Sequence, residues 1–198
     1  MLGRFREKYQ AAMAPLGKGL GGLGATPNII TTFSLMISGL AAVAYALKLP
    51  LLGAVGLIGS GFVDMLDGAV ARATGTATRF GAVYDHVLDR YAEFAVLMGI
   101  GLGGFVDWVW IIFCLFGMVM ASFVRAKAES VGGLRSCTVG IAERQEKLIV
   151  LLLGSILQGL FSWALLAAVI LVGVLSHVTV VQRLSYTFKQ TRGLKVDI

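Results

Sequence analysis

Four aspartates, Asp64, Asp67, Asp85 and Asp89, fall within 26 residues of a largely apolar chain. Asp64 and Asp67 are three positions apart, and Asp85 and Asp89 four. On helices each pair lies on one face, about one turn apart. The connection between the pairs, Thr74 to Thr78, is short and built of Thr, Gly and Ala. Such a link predicts antiparallel neighbouring helices, with four carboxylates converging across one interface. Unpaired, those groups would repel and take up protons. Hard divalent cations relieve that repulsion, and Mg²⁺ prefers oxygen ligands, often shared with substrate phosphates. Ionisable groups inside apolar spans are expensive, so by default they mark a functional site. Gly68 and Ala71 keep the same face free of bulk, which lets a ligand approach the backbone.

The elements that must position these residues read as membrane helices. The chain has 198 residues, is 57% hydrophobic and only 14% charged, far below the usual quarter for a soluble domain. At about 20 residues per crossing, its length fits six transmembrane helices in an all-α integral membrane protein of one domain, 1–198. Residues 1–25 predict a juxtamembrane amphipathic helix followed by a glycine-rich hinge, Gly17 to Gly24; Leu2, Phe5, Tyr9 and Met13 recur at helical intervals among Arg4, Arg6 and Lys8. No cleavable signal peptide is expected. A six-helix bundle follows over 26–186, with spans at about Asn28–Leu47, Leu51–Arg72, Gly81–Gly103, Asp107–Lys127, Lys147–Leu160 and Ser162–Leu184, and a basic cytoplasmic tail over 187–198. With six spans, Lys48 is the only one of 17 Lys and Arg residues near the opposite side. The positive-inside rule then puts both termini and the aspartates in the cytoplasm, in a multi-pass protein of the cell membrane. Cys114 and Cys137 read as free thiols.

The aspartate segment resembles the CDP-alcohol phosphotransferase signature: Asp64-x-x-Asp67-Gly68-x-x-Ala71-Arg72, eight residues, then Gly81-x-x-x-Asp85-x-x-x-Asp89. All eight fixed positions match. The resemblance implies attack by an alcohol on the lipid-bearing phosphate of a CDP-lipid, with CMP leaving. It further implies Asp64, Asp67 and Asp85 as metal ligands, and Asp89 as the general base, also touching a second metal if there is one. The cofactor would be Mg²⁺ or Mn²⁺, as one or two ions. Gly68, Ala71 and Arg72 would border the cytidine and its phosphate, with Thr78 a contact by position. Asn28 and Thr31 would close the cytidine side; a plain helix cap is an equal reading. His86 is not a fixed motif position and reads as a bystander, while Glu93 continues the Asp85–Asp89 face towards a basic partner such as Arg90, Arg125 or Lys127. The family also implies a homodimer.

Arg125, Lys127, Arg144 and Arg183 place four cations at the cytoplasmic level, suited to a phosphate on the acceptor. The competing reading is positive-inside bias and attraction to anionic lipid headgroups. Ser122 to Glu129 and Glu143 to Lys147 look like the phosphatidylinositol-phosphate synthase branch, with its archaetidylinositol-phosphate relatives, whose acceptor is inositol 1-phosphate; Lys127 stands where that branch favours arginine. The alternatives are glycerol 3-phosphate as acceptor, or a cation or proton transporter using intramembrane aspartates. No nucleic-acid partner is expected.

Overall fold

The computed structural model describes residues 3–193, with side chains from Met13 onward. Among the described residues it is all-helical: α1 (Gly3–Gly22), α2 (Pro27–Ala46), α3 (Pro50–Thr74), α4 (Arg79–Leu102), α5 (Trp108–Ser130), α6 (Arg144–Leu157) and α7 (Ala164–Thr191). The chain divides into two compact units, Met1–Ile100 and Gly101–Ile198.

In the first unit, prolines open both α2 and α3 at N1, where a missing N–H is harmless. Thr26 caps α2. Between these helices Lys48 takes a left-handed conformation (φ 62°), strained for a side chain with a Cβ. The antiparallel run of α2 against α3 shows in its pairs. Gly53 lies under the Tyr45 ring, Gly56 on Ala41 and Ser60 against Ser34, whose hydroxyl donates to the Ser60 carbonyl at 3.0 Å. Asp67 meets Thr31 at the far end. Small residues let such helices approach where apolar burial drives little association. Helix α4 runs parallel to α2: Thr32 bonds Tyr84, and ten residues on Ala42 meets Gly99 so closely that a Cβ there would sit 2.6 Å from the Ala42 Cα.

The expected hinge at Gly17 to Gly24 is instead mostly helix. Helix α1 continues through Gly22, and its glycines serve packing. A Cβ on Gly17 would lie 2.6 Å from the Ala69 carbonyl oxygen, and one on Gly21 would collide with Thr74, so α1 runs parallel along α3. Met13 and Leu20 seal onto Ile30, Leu66 and Val70. The amphipathic pattern of Leu2, Phe5 and Tyr9 lies outside the described side chains.

In the second unit, α5 and α7 run parallel, with Gly117 against Ser176 and His177, and Gly173 against Phe113 and Cys114. His177 stacks on the Phe113 ring at 4.5 Å and its Nε2 lies 3.2 Å from the Phe113 carbonyl. Helix α6 returns against α7 at Gly154, next to Leu165 and Ala168. Both cysteines are buried thiols. Helix α7 runs on to Thr191, so the expected tail begins later than residue 187; residues 194–198 lie outside the described residues.

Among the described residues four helices, α2, α3, α5 and α7, are long and apolar enough to cross a membrane. The other two expected spans fall short for different reasons. Helix α4 carries Arg79, Asp85, Asp89, Arg90 and Glu93 in its first fifteen residues. Helix α6 has 14 residues, about 21 Å at 1.5 Å per residue, against a hydrocarbon core of about 30 Å.

Candidate functional site

The last turns of α3 and the first turns of α4 carry the aspartates. Gly75 ends α3 in the left-handed conformation (φ 67°) that favours glycine, and its N–H closes on the Ala71 carbonyl. Three residues later Thr78 caps α4, its hydroxyl accepting from the Gly81 N–H at 2.9 Å. This tight reversal brings Asp64, Asp67 and Asp85 together. Each offers a carboxylate oxygen, and these atoms lie within 4.8 Å of one another, all in half-buried side chains. Asp89, one turn further along α4, is half-buried too but outside this three-carboxylate group.

Magnitudes decide what the cluster needs. Two unit charges 4.8 Å apart repel by roughly 3 kcal/mol at an effective dielectric constant of about 20, and there are three such pairs. The Thr31 hydroxyl reaches Asp67 Oδ2 at 2.7 Å, and a hydrogen bond to a charged group contributes about 1.5–3 kcal/mol. That bond alone does not offset the repulsion among three anions. An all-carboxylate donor set suits a hard divalent cation.

Around the cluster, Asn28 and Thr78, 50 positions apart, converge at Gly81: a Cβ there would sit 3.3 Å from Asn28 Oδ1 and 3.1 Å from Thr78 Oγ1. Arg72 folds back over Gly68, where a Cβ would lie 3.0 Å from its guanidinium. Ala71 is half-buried beside it. Thr31 stands apart from these three positions. It is 3% exposed and its hydroxyl faces Asp67, so it belongs to the carboxylates rather than to open space. His86 is exposed, 3.5 Å from Asp85. Glu93 pairs with Arg90 at 2.6 Å.

The four expected acceptor cations all lie in the second unit, in different settings. Arg183 is 6% exposed; its Nε donates to the Val139 carbonyl at 2.9 Å and an Nη to that of Ala121 at 2.6 Å. Arg125 pairs with Glu129 at 3.1 Å and lies within electrostatic range of Arg183. Lys127 is exposed, its Nζ 5.7 Å over the Phe123 ring. Arg144 is the half-buried first residue of α6, whose N-terminus is closed by a reciprocal Glu143–Glu146 capping box. The segment 131–143 is stitched down by side chains: Glu129 accepts from the Cys137 N–H, Gln182 from the Ile141 N–H, and Arg183 donates to Val139. Gln182, Thr32 and Tyr84 are contacts that sequence reasoning missed; their partners are tens of residues away and no local pattern announces them.

Two antiparallel helix turns thus present acids to one another beside a face that carries Gly68 and Arg72, an arrangement suited to a cation shared with a phosphate-bearing substrate. The chain belongs to the CDP-alcohol phosphatidyltransferase family, whose sequence profile matches residues 25–182, and it is a CDP-alcohol phosphotransferase. Among its relatives is the archaetidylinositol phosphate synthase of Pyrococcus horikoshii, 37% identical over 183 residues, covering 92% of this chain and 94% of that one. The phosphatidylinositol phosphate synthase of Mycobacterium tuberculosis, solved with CDP-DAG bound, superposes with a TM-score of 0.83 at 29% identity, covering 93% of this chain and 98% of that one. The same enzyme in complex with manganese and citrate gives 0.82 at 30% identity, covering 94% and 93%.

Proposed function

We propose that this enzyme transfers a phosphatidyl- or archaetidyl-type group from a CDP-lipid to inositol 1-phosphate, releasing CMP, with a divalent cation held by Asp64, Asp67 and Asp85. The observation that carries the reading is the three-carboxylate cluster, made by the two halves of the signature. The relatives' names and the CDP-DAG and manganese bound by the mycobacterial enzyme support the donor, the acceptor class and the ion.

When bound, Mg²⁺ or Mn²⁺, as one or two ions, would supply positive charge to offset the pyrophosphate. The protein does the rest. Asn28 and Thr78 would contact the cytidine at the space Gly81 leaves open, while Gly68 and Ala71 let the nucleotide approach α3 and Arg72 counters its phosphate. Asp89 would accept the proton of the acceptor hydroxyl as its oxygen bonds to the lipid-bearing phosphorus. The phosphoanhydride bond breaks and CMP leaves with its electron pair. Arg125, Lys127, Arg144 and Arg183 would hold the acceptor's phosphate. Arg183 has two of its five N–H donors on backbone carbonyls, so it would contribute through the remainder of its fork.

The family profile runs across both compact units, which supports one working domain over 1–198. We read it as a homodimer in the cell membrane, with six crossings, the short α6 accommodated by local thinning of the bilayer, and with both termini and the acids cytoplasmic. Family membership displaces the transporter reading. Glycerol 3-phosphate remains the rival acceptor, since it also presents a phosphate. The deciding experiment is CMP release from a CDP-lipid with inositol 1-phosphate, glycerol 3-phosphate and serine compared. Release with inositol 1-phosphate alone is expected; a preference for glycerol 3-phosphate would overturn the assignment. Excess EDTA should abolish turnover and Mg²⁺ or Mn²⁺ restore it.

A further inference from the structure

Adjacent threonines near the start of α2 point to different helices. The Thr31 hydroxyl lies 2.7 Å from Asp67 Oδ2 on α3 and 3.0 Å from its own helix's Pro27 carbonyl. One proton serves one acceptor at a time, and the shorter contact to an anionic oxygen is the stronger. The Thr32 hydroxyl lies 2.9 Å from the Tyr84 hydroxyl on α4 and donates to the Asn28 carbonyl at 2.8 Å; the proton of the first bond therefore comes from Tyr84. Tyr84 immediately precedes Asp85. The two threonines thus hold, from one short stretch of α2, the two helices whose carboxylates must meet.

We infer that Thr31 and Thr32 form a two-armed brace that sets the spacing of Asp67 and Asp85, and that Thr31 is a positioning residue for the divalent cation rather than a contact to the nucleotide. The inference rests on the metal reading of the cluster. Its physical logic is preorganisation. Three carboxylates separate when nothing opposes their repulsion, and a cation binding to separated ligands must first draw them together. A hydroxyl that orients one carboxylate, and a second that fixes the backbone beside another, lower that cost before the cation arrives. Thr31 is buried and tied into the first turns of α2, which suits it to hold a carboxylate at a set angle.

The test is Mn²⁺ titration of the purified full-length protein, followed by electron paramagnetic resonance of free Mn²⁺, with melting temperatures recorded without metal. Thr31→Val keeps the shape and removes the hydroxyl; it should weaken Mn²⁺ binding about tenfold, corresponding to about 1.4 kcal/mol. Thr31→Ser keeps the hydroxyl and should stay near wild type. Thr32→Val and Tyr84→Phe delete the same bond, so each should weaken binding by a similar factor and the double variant by no more than either single one. Wild-type affinity in Thr31→Val, or equal losses in the Val and Ser variants, would overturn the role of the hydroxyl. Additive losses at Thr32 and Tyr84 would overturn the second arm. Failure of the wild-type protein itself to bind Mn²⁺ is a different result, and overturns the metal reading beneath the inference.

Discussion

At the scale of single residues, the acids and the cations separate into testable groups. Asp89→Asn keeps size and removes basicity. Turnover should drop by about 10²–10⁴-fold, the usual contribution of a general base, while Mn²⁺ binding, which we assign to the Asp64, Asp67 and Asp85 cluster, persists. Two of the three arginines proposed to hold the acceptor's phosphate, Arg144 and Arg183, can be told apart. Arg144→Ala should raise the KM for inositol 1-phosphate about ten- to a hundredfold, from a charged hydrogen bond of roughly 1.5–3 kcal/mol. Arg183→Ala strands the Val139 and Ala121 carbonyls, so it should also lower the melting temperature. A wild-type melting temperature in Arg183→Ala would contradict the clamp. The aspartates were legible because motif spacing alone puts them on helix faces. The second role of Arg183 was not, because its carbonyl partners sit 44 and 62 positions away, and nothing in a basic residue's neighbours shows whether it faces ligand or backbone.

At the scale of elements, helix positions were legible and glycine function was not. Proline at the start of α2 and α3, and the Thr-Gly reversal before α4, mark ends that the structure keeps nearly where expected. The glycines of Gly17 to Gly24 suggest a hinge in sequence because glycine composition signals both flexibility and close packing, and only the opposite helix separates them. The distinction predicts opposite signs for two similar changes. Gly19 faces open space, so Gly19→Ala should stabilise by about 0.5–1 kcal/mol through helix propensity. Gly17 abuts the backbone of Ala69, which cannot yield as a side chain can, so Gly17→Ala should destabilise by about 1–3 kcal/mol. Thermal unfolding of the two variants reads the signs directly; stabilisation in both would restore the hinge.

At the scale of the whole molecule, charge placement predicts sidedness. Both native cysteines are buried, so introduced thiols should report alone. A cysteine at Lys18 should react with an impermeant reagent only from the cytoplasmic side, and one at Lys48 only from the other. Reaction of both from one side would break the proposed topology. The close parallel contact of α1 with α3 also has a bearing on time. Gly17 and Ala69 are 52 positions apart in the chain. At about 5–20 residues per second of synthesis, the ribosome needs roughly 3–10 s to make the partner that α1 docks against. Through that interval the glycine face of α1 has nothing to rest on, and the turn of α3 that carries Asp67 is not yet made. Helix α1 is therefore made well before the helix it docks on, and the backing of the acidic turn is laid down by a segment that has waited for it.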